Sequence, residues 1–430
     1  MKRLTLLAAA AWYLAAAPAH AASWSRPPAF SIAGTMADEA APRVAIARDG
    51  TNVAAWWEGS RIAVSAGDRR GRFSRPEHAG TRPGDIAVAA APGGRAVVAW
   101  EDRDAIWALV RDRRGGDWRR QRLAVSTGSA INGITLAADP RGGWVLAERQ
   151  FPARASGDRY VVRTLSLRAD GTPIGTPQDL GRGTFAGDAR PDQALTVDAQ
   201  GTATLVLTRP APAGPRPVFV TRRPHGGTFA EPRPLPGDRS AEPRVAALAG
   251  GAAAVAFIRP DQCGEVGCLG LPMVGLVGAD GTVAAPVAPP LGARTRAFGP
   301  WVTPVGSGLA LVFQEGRTGP FSREAPVRAV IRGADGRFGA VQDLSGVPAA
   351  EPVALPLDRG RALVLWTGRR FWGAAVAGAD GRFTRTRAPG GPAPAPYHTN
   401  RTNRDVRTAG RYAIAGWVRK GRIRLTVRAF

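Results

Sequence analysis

The residues most often placed to bind a ligand in this sequence are arginines in the connections between apolar segments. Several arginines follow directly on apolar segments, in stretches such as TRPAPAGPRP, IRPDQCGEVGC and TGRRFWG. The planar guanidinium donates paired hydrogen bonds to carboxylate, sulfate or phosphate groups. Tryptophans stand close to some of these arginines. The candidate ligand-binding residues are Arg149, Arg159, Arg209, Arg259, Arg317, Arg369, Arg370, Arg419, Trp366 and Trp417.

The same connections have a second interpretation, a solvated loop surface on which arginines pair with local acids. The matching places early in the chain carry Glu58, Glu101 and Asp102 instead of arginine. The hypothesis of an anion-binding loop face therefore concerns the repeats from the third onward.

Signatures of catalysis are missing from the sequence. His78, His225 and His398 follow the N-terminal apolar segment, and none of them has metal-ligand spacing. There is no GxSxG, no HExxH, no P-loop and no GxGxxG that opens a helix. We expect no metal and no cofactor, although a spatial Ser-His-Asp arrangement stays open, because triads are not sequence patterns.

Cys263 and Cys268 are the only two cysteines, in DQCGEVGC. In an oxidising compartment this spacing predicts a disulfide that closes a short loop and acts locally. A redox pair or half of a metal site are the alternatives, but no histidine and no second cysteine pair lies nearby.

The N-terminus reads MKRLTLLAAAAWYLAAAPAHA, with two basic residues, an apolar stretch and a small-x-small site. This layout predicts a secretory signal peptide over residues 1–21. A membrane anchor would need roughly 20 apolar residues, and no later stretch is apolar enough to span a bilayer. We expect an exported protein, periplasmic or extracellular, with a single domain over residues 22–430.

The formal net charge is +24, of which the signal segment contributes Lys2 and Arg3, leaving +22. Such an excess attracts polyanions. Nucleic acid is a poor candidate for an exported protein, so we expect a protein or an anionic carbohydrate as the partner, and a monomer. The alternative is compositional bias, because the chain is also rich in Ala, Gly and Pro.

An internal repeat organises the rest of the chain. A short apolar strand is followed by a turn rich in Gly and Asp, then by a second, more apolar strand such as AVVAW or ALVLW. A third strand leads to a turn such as GADGRF, which occurs at 333–338 and again at 378–383. Asp-Gly and Gly-Gly are typical of hairpin turns. The third-to-fourth-strand turn is then a structural device, with Phe338 and Phe383 packed between neighbouring units.

Four antiparallel strands in each unit, recurring every roughly 43 to 60 residues, predict an all-β fold, a β-propeller of four-stranded blades. Second-strand segments suggest eight blades, with seven as the alternative. The last unit stops after its third strand. Residues 23–34 resemble a fourth strand, so we expect them to pair with residues 422–430 and close the ring, which removes exposed sheet edges.

The turn that contains Asp335 and Gly336 resembles the Asp-box of sialidase-like secreted propellers in its place, its Asp, its Gly and its aromatic residue. It departs from that pattern because Asp and Gly are adjacent and Ser and Thr are missing. The resemblance implies an arginine triad, which has no residue-by-residue match here, and a Tyr-Glu pair, for which Tyr160 and Glu148 are the candidates. We expect a non-catalytic binding propeller, with a sialidase-like glycan-active hydrolase as the alternative.

Overall fold

The computed structural model describes the chain in fifteen stretches: residues 23–31, 41–80, 83–102, 105–125, 129–152, 159–184, 193–208, 217–237, 240–264, 267–292, 295–317, 325–368, 372–389, 404–419 and 422–430. The predicted signal segment lies outside them. Among the residues that the structure describes, no helix has the length and apolar character that crossing a bilayer requires.

The described strands form antiparallel sheets, numbered here in chain order. Strand β1 (Ala29–Ser31) belongs to the last of them. Sheet 1 contains β2 (Arg43–Ile46), β3 (Asn52–Glu58), β4 (Arg61–Gly67) and β5 (Glu77–Ala79). Sheet 2 contains β6 (Pro83–Ala91), β7 (Arg95–Asp102), β8 (Ala105–Arg111) and β9 (Arg119–Val125). Sheet 3 contains β10 (Ser129–Ala138), β11 (Trp144–Pro152), β12 (Arg159–Leu167) and β13 (Pro173–Thr184).

The second half of the chain continues the pattern. Sheet 4 contains β14 (Gln193–Val197), β15 (Ala203–Thr208), β16 (Val218–Arg223) and β17 (Arg233–Pro234). Sheet 5 contains β18 (Ala241–Ala247), β19 (Ala253–Gly264), β20 (Gly267–Val277), β21 (Thr295–Val305), β22 (Gly308–Arg317), β23 (Val327–Arg332) and β24 (Gln342–Asp343). Sheet 6 contains β25 (Ala350–Leu357), β26 (Arg361–Thr367), β27 (Trp372–Ala377) and β28 (Phe383–Arg385). Sheet 7 contains β1, β29 (Arg404–Ala409), β30 (Tyr412–Arg419) and β31 (Arg422–Ala429). Two 3₁₀ turns, Pro92–Gly94 and Ala249–Gly251, join β6 to β7 and β18 to β19.

The fold is an all-β propeller of four-stranded antiparallel blades, and the predicted number of blades needs correction. Within the described residues there are six separate four-stranded sheets and one sheet of seven strands, neither eight blades nor seven. The difference arises where β20 pairs with β21 at Gly270 and Ala297, which merges strands β18 to β24 into one sheet. The segment after β20 meets that strand only through isolated bridges at Val283 and Val287.

The two ends of the described chain meet in sheet 7. Ala29 stands opposite Arg424 and Ser31 opposite Arg422, in an antiparallel pairing of β1 with β31. Trp24 reinforces this connection, because its indole Nε1 donates to the Arg387 carbonyl at 2.9 Å and its ring meets Phe430 edge-on at 6.1 Å.

Successive sheets pack face to face through hydrophobic clusters. The strand after the first turn of each repeat is buried on both faces, which explains why it reads as a nearly continuous apolar run. One cluster joins Val98 and Trp100 of sheet 2 to Ile62 of sheet 1. Another joins Val44 of sheet 1 to Ile414 of sheet 7, so the first sheet also packs on the last.

The recurrent GADGRF turn is a structural device, as predicted. Gly333 N donates to the Arg337 carbonyl, and Asp335 Oδ1 accepts the Arg337 N–H at 3.0 Å. Gly336 has φ of 79°, a left-handed conformation that favours glycine. Phe383 packs in a cluster that contains residues of sheets 5 and 6, whereas Phe338 packs inside sheet 5.

Cys263 and Cys268 stand opposite each other in the β19–β20 ladder. Cross-strand neighbours have the Cα separation that a disulfide requires. The side chain of Cys263 lies outside the described residues, and the bond itself stays a prediction.

Candidate functional site

The two ends of every sheet differ. At one end, here called the turn end, short turns join the first strand to the second and the third to the fourth. The other end is here called the loop end. It contains the connections from second to third strands and the segments that lead to the next sheet. The predicted site residues belong to second strands or to the connections that follow them, except Arg159, which begins the third strand β12; all lie near the loop end.

Half of the predicted site cannot be located by its side chains. Arg209, Arg369 and Arg370 lie outside the described residues. Arg159 and Arg317 are described only as backbone positions in β12 and β22. Tyr160, the predicted partner of Glu148, is likewise described only as backbone, three residues along β12 from Arg163. The roles of these residues stay predictions.

The two predicted tryptophans are core residues. Trp366 is 2% exposed and Trp417 is 1% exposed, so neither offers a ring face to solvent. Trp417 meets Trp372 edge-on, with ring centroids 5.9 Å apart, and the Arg404 guanidinium lies 4.8 Å from the Trp372 ring. Trp372 and Trp417 fill the space between sheets 6 and 7, whereas Trp366 packs between sheets 5 and 6.

Arg149 is buried as well, with 8% exposed. It lies on β11, and its guanidinium packs against the backbone of Gly133 on the neighbouring strand β10. A Cβ at Gly133 would stand 2.9 Å from Arg149 Nη2, and φ there is 122°, so glycine permits both the backbone conformation and the close approach.

Other arginines are accessible at the loop end. Arg259 on β19 is exposed and Arg419 at the end of β30 is half-buried. Arg422, in the same VRKGR stretch as Arg419, is exposed, and the structure adds the exposed Arg61, which the sequence did not single out. Arg419 and Arg422 face each other at the closing pair of one hairpin. Within the part of the chain that the structure describes, none of these four guanidinium groups forms an ion pair.

Arg61 lies on the β3–β4 hairpin of sheet 1, and Arg419 and Arg422 lie on the β30–β31 hairpin of sheet 7. The hairpin that carries the pair packs its residues Val418 and Ile423 in one cluster with Trp56 and Ala63 of sheet 1. This cluster sets the loop ends of sheets 1 and 7 side by side.

Near the same end, polar side chains of one repeat bond the first strand of the next repeat. Glu242 Oε2 accepts the Gly299 N–H at 2.8 Å, and Gln314 Oε1 accepts the Glu351 N–H at 3.2 Å. Glu242, Gly299 and Glu351 have φ of 55°, 58° and 51°, at places where the strand register shifts by a bulge. A bulge leaves backbone groups outside the ladder, and these side chains satisfy two of them.

The same kind of link joins sheet 6, sheet 7 and sheet 1. Arg404, 3% exposed, bonds the Glu351 carbonyl and lies 3.5 Å from its carboxylate. Burial lowers the pKa of Arg404 to about 10, and the charges of Glu351 and Asp405 oppose that shift. Asp405 Oδ2 accepts the Val44 N–H of sheet 1 at 3.0 Å.

A buried carboxyl group interrupts the apolar pattern in sheet 3. Six second strands carry an aromatic residue at the same place before the loop end: Trp56, Trp100, Phe257, Phe313, Trp366 and Trp417. In β11 this place is Glu148, which is 2% exposed and stands opposite Arg163 of β12. Its Oε1 accepts a hydrogen bond from Gln150 Nε2 at 2.9 Å, whereas Oε2 has no partner among the described residues.

Burial raises the pKa of Glu148 to about 7, and the nearby carboxylates of Asp179 and Glu101 act in the same direction. The Arg163 guanidinium opposes this shift but is committed elsewhere. Its Nε donates to Asp179 Oδ1 at 2.8 Å and its Nη1 to Gln150 Oε1 at 3.0 Å. The Glu148 carboxyl therefore holds a proton up to near-neutral pH.

Sheet 5 contains the same arrangement, an arginine held by two acceptors on the neighbouring strands, without the buried acid. Arg328 pairs with Glu315 and with Asp343, as Arg163 pairs with Gln150 and Asp179. Here the place of Glu148 is taken by Phe313. Glu148 is thus a departure from a recurrent packing arrangement, and superposing the second strands would have revealed it. No cluster of three or more His, Cys, Asp or Glu side chains able to hold a metal occurs in the described residues.

Solved structures share the propeller fold. The polysaccharide lyase Uly1 matches with a TM-score of 0.50 and 11% identity, over 94% of this chain and 99% of that chain. A prolyl endopeptidase matches with a TM-score of 0.47 and 14% identity, over 89% of this chain but only 56% of that one. A catalytically inactive virginiamycin B lyase from Staphylococcus aureus, with quinupristin, gives 0.43 and 11%, over 81% and 96%. No protein-family profile and no curated protein matches the chain. These likenesses are of fold alone.

Proposed function

We propose that this protein is an exported binding propeller that presents arginines at its loop end to an anionic ligand, either a carbohydrate or an acidic protein surface. The observation that carries the proposal is the set of accessible guanidinium groups at Arg61, Arg259, Arg419 and Arg422, which have no ion-pair partner among the described residues. Guanidinium groups that are free of carboxylates keep their paired donors for a ligand.

The proposal includes the placement and closure of the domain. Residues 1–21 act as a cleaved signal peptide, and residues 22–430 form one domain. The ring is closed through sheet 7, and Cys263 and Cys268 are oxidised. Pairing of β1 with β31, together with packing of sheet 1 on sheet 7, supports closure.

An array of anionic and neutral glycans, probed with mature protein at low and high salt and assayed for turnover, tests the binding function. Attraction that rests on charge alone fades with salt, whereas a shaped site retains its ligand. We expect salt-resistant binding to an anionic glycan, weakened at least tenfold in R61Q/R419Q/R422Q. Exposed R75Q on the outer segment of sheet 1 serves as the control. Only salt-sensitive binding, unaffected by the triple variant, would refute the loop-end site.

A second candidate function, glycan hydrolysis, is favoured by the protonated carboxyl group of Glu148 with the Glu101 carboxylate nearby. Glycoside hydrolases pair one protonated and one ionised carboxyl group. Turnover on the same array, lost in both E148Q and E101Q, would support hydrolysis. Binding without turnover in the unaltered protein would leave the binding function alone.

A further inference from the structure

The turn end of the propeller is strongly basic. Its turns occupy residues 47–51, 68–72, 92–95, 111–117, 139–143, 168–172, 198–202, 222–227, 249–251, 278–282, 305–308, 332–337, 358–361, 378–382 and 409–411. Together they contain eighteen arginines and eleven aspartates, a net charge of +7. All of these residues are described, and none of this charge is part of the loop-end site.

The turns of this end are mostly short, and their own aspartates hydrogen-bond their backbone. Asp170 Oδ1 accepts the Thr172 N–H at 2.9 Å, and Asp380 accepts the Arg382 N–H at 3.1 Å in the same way. Neighbouring turns also bond to each other across sheets. Gly93 N donates to Asp49 at 2.9 Å, and Asp358 N donates to the Gly410 carbonyl at 2.9 Å.

Some of the turn arginines are used for structure, and others are not. Arg222 bonds the Gly251 and Ala279 carbonyls of the next sheet. In contrast, exposed arginines without an ion pair within the described residues occur on turns of sheets 1, 2, 3, 5 and 6, among them Arg69, Arg70, Arg113, Arg168, Arg337 and Arg382. They are spread over the whole end and not aligned along one groove.

We propose that the turn end is a docking surface for the phosphate headgroups of an anionic lipid bilayer. A planar array of phosphates can contact arginines on five sheets at once, whereas a peptide or a single glycan chain would follow only one row of them. The exposed large apolar side chains, Ile174, Val287, Val341 and Val347, lie outside these turns. Docking is therefore electrostatic and reversible, without insertion into the hydrocarbon.

Vesicle flotation of the mature protein tests this proposal. Vesicles of phosphatidylcholine mixed with phosphatidylglycerol are compared with vesicles of phosphatidylcholine alone, at low and high salt. We expect binding to the anionic vesicles only, lost at high salt. In R69Q/R70Q/R113Q, the affinity should fall about fivefold for each arginine removed. The matched control is R61Q/R419Q/R422Q, which removes the same charge from the loop end and should retain vesicle binding.

Three results would overturn the proposal. These are equal binding to both kinds of vesicle, equal losses in the turn-end and loop-end variants, and failure to float while a soluble sulfated polysaccharide binds in a manner that depends on Arg69, Arg70 and Arg113. The melting temperature of each variant checks that it folds. Because the glycan array reads the loop end, failure of one proposal does not affect the other.

Discussion

Gln150 Nε2 donates a hydrogen bond of 2.9 Å to Glu148 Oε1, and both side chains are 2% exposed. Gln150 is held in this orientation because its own oxygen accepts from Arg163 at 3.0 Å. The amide can thus serve either protonation state of the acid without moving, and burial is the largest cost of ionising Glu148, with smaller contributions from the Asp179 and Glu101 carboxylates.

The stability of the protein should therefore depend on the protonation of Glu148. Its pKa is about 7 in the folded protein, against an ordinary value of 4.5. Because the folded-state pKa is raised, the protonated Glu148 carboxyl contributes its full stability only below the unfolded-state pKa of 4.5. This contribution is lost as the pH rises from there through about 7. The full loss amounts to about 3 kcal/mol.

Glu148→Gln should remove this dependence. Denaturant unfolding is expected to show the variant more stable than the parent at pH 8, and closer to it at pH 5. The matched control is Glu315→Gln, in the corresponding arrangement of sheet 5, which removes a half-buried carboxylate that is paired with Arg328 and should not flatten the profile. Identical pH profiles for the parent and Glu148→Gln would contradict the buried-acid assignment.

The backbone conformation at Gly336 predicts strain for any residue that replaces this glycine. A Cβ there costs about 1 kcal/mol, because φ of 79° is unfavourable for L-residues. Gly336→Ala should lower the free energy of unfolding by that amount. Gly339→Ala is the control, since Gly339 in the same hairpin lacks a positive φ and has room, with its nearest contact 3.7 Å away. Equal effects in calorimetry would show that the turn carries no strain.

The N-terminal segment should matter for stability out of proportion to its length. Trp24 is 8% exposed and touches residues near the C-terminus, and replacing a buried tryptophan by alanine costs about 3 to 5 kcal/mol. Trp24→Ala is expected to lower the melting temperature by several degrees. Deleting residues 22–34 should lower it further. Arg26→Ala, at an exposed neighbouring position, is the control. An unchanged melt after the deletion would exclude ring closure through β1.

A disulfide between Cys263 and Cys268 should leave no free thiol in protein purified from an oxidising compartment, by thiol titration under denaturing conditions. The closed loop is short, so reduction should shift the melting temperature only slightly. Two titratable thiols in that material would contradict the pairing.

Local signals in the sequence were sufficient to predict the repeat and its turns. GADGRF is a turn because Asp335 can cap it and Gly336 can adopt positive φ, and both reasons depend on neighbours within a few residues. Pairing of β1 with β31 could also be predicted, since the N-terminal segment resembles a fourth strand.

Burial in these sheets could not be read from residue type in the same way. Trp366 and Trp417 stand beside arginines in the chain, but their strands are covered on both faces, so the rings fill the core. Glu148 looks like an ordinary acid until its strand is superposed on the others. The merging of strands in sheet 5 depends on one pair, Gly270 with Ala297, which has no local signature.

Sheet 7 has a consequence for biosynthesis. Its strand β1 pairs with β31, and all the other described strands lie between the two in sequence, so they cannot pair until those strands have been synthesised. Until then the Trp24 indole lacks its Phe430 contact and the face of sheet 1 lacks the sheet 7 residues that cover it. Polypeptides that end before β31 would keep these surfaces open, which would expose them to proteolysis.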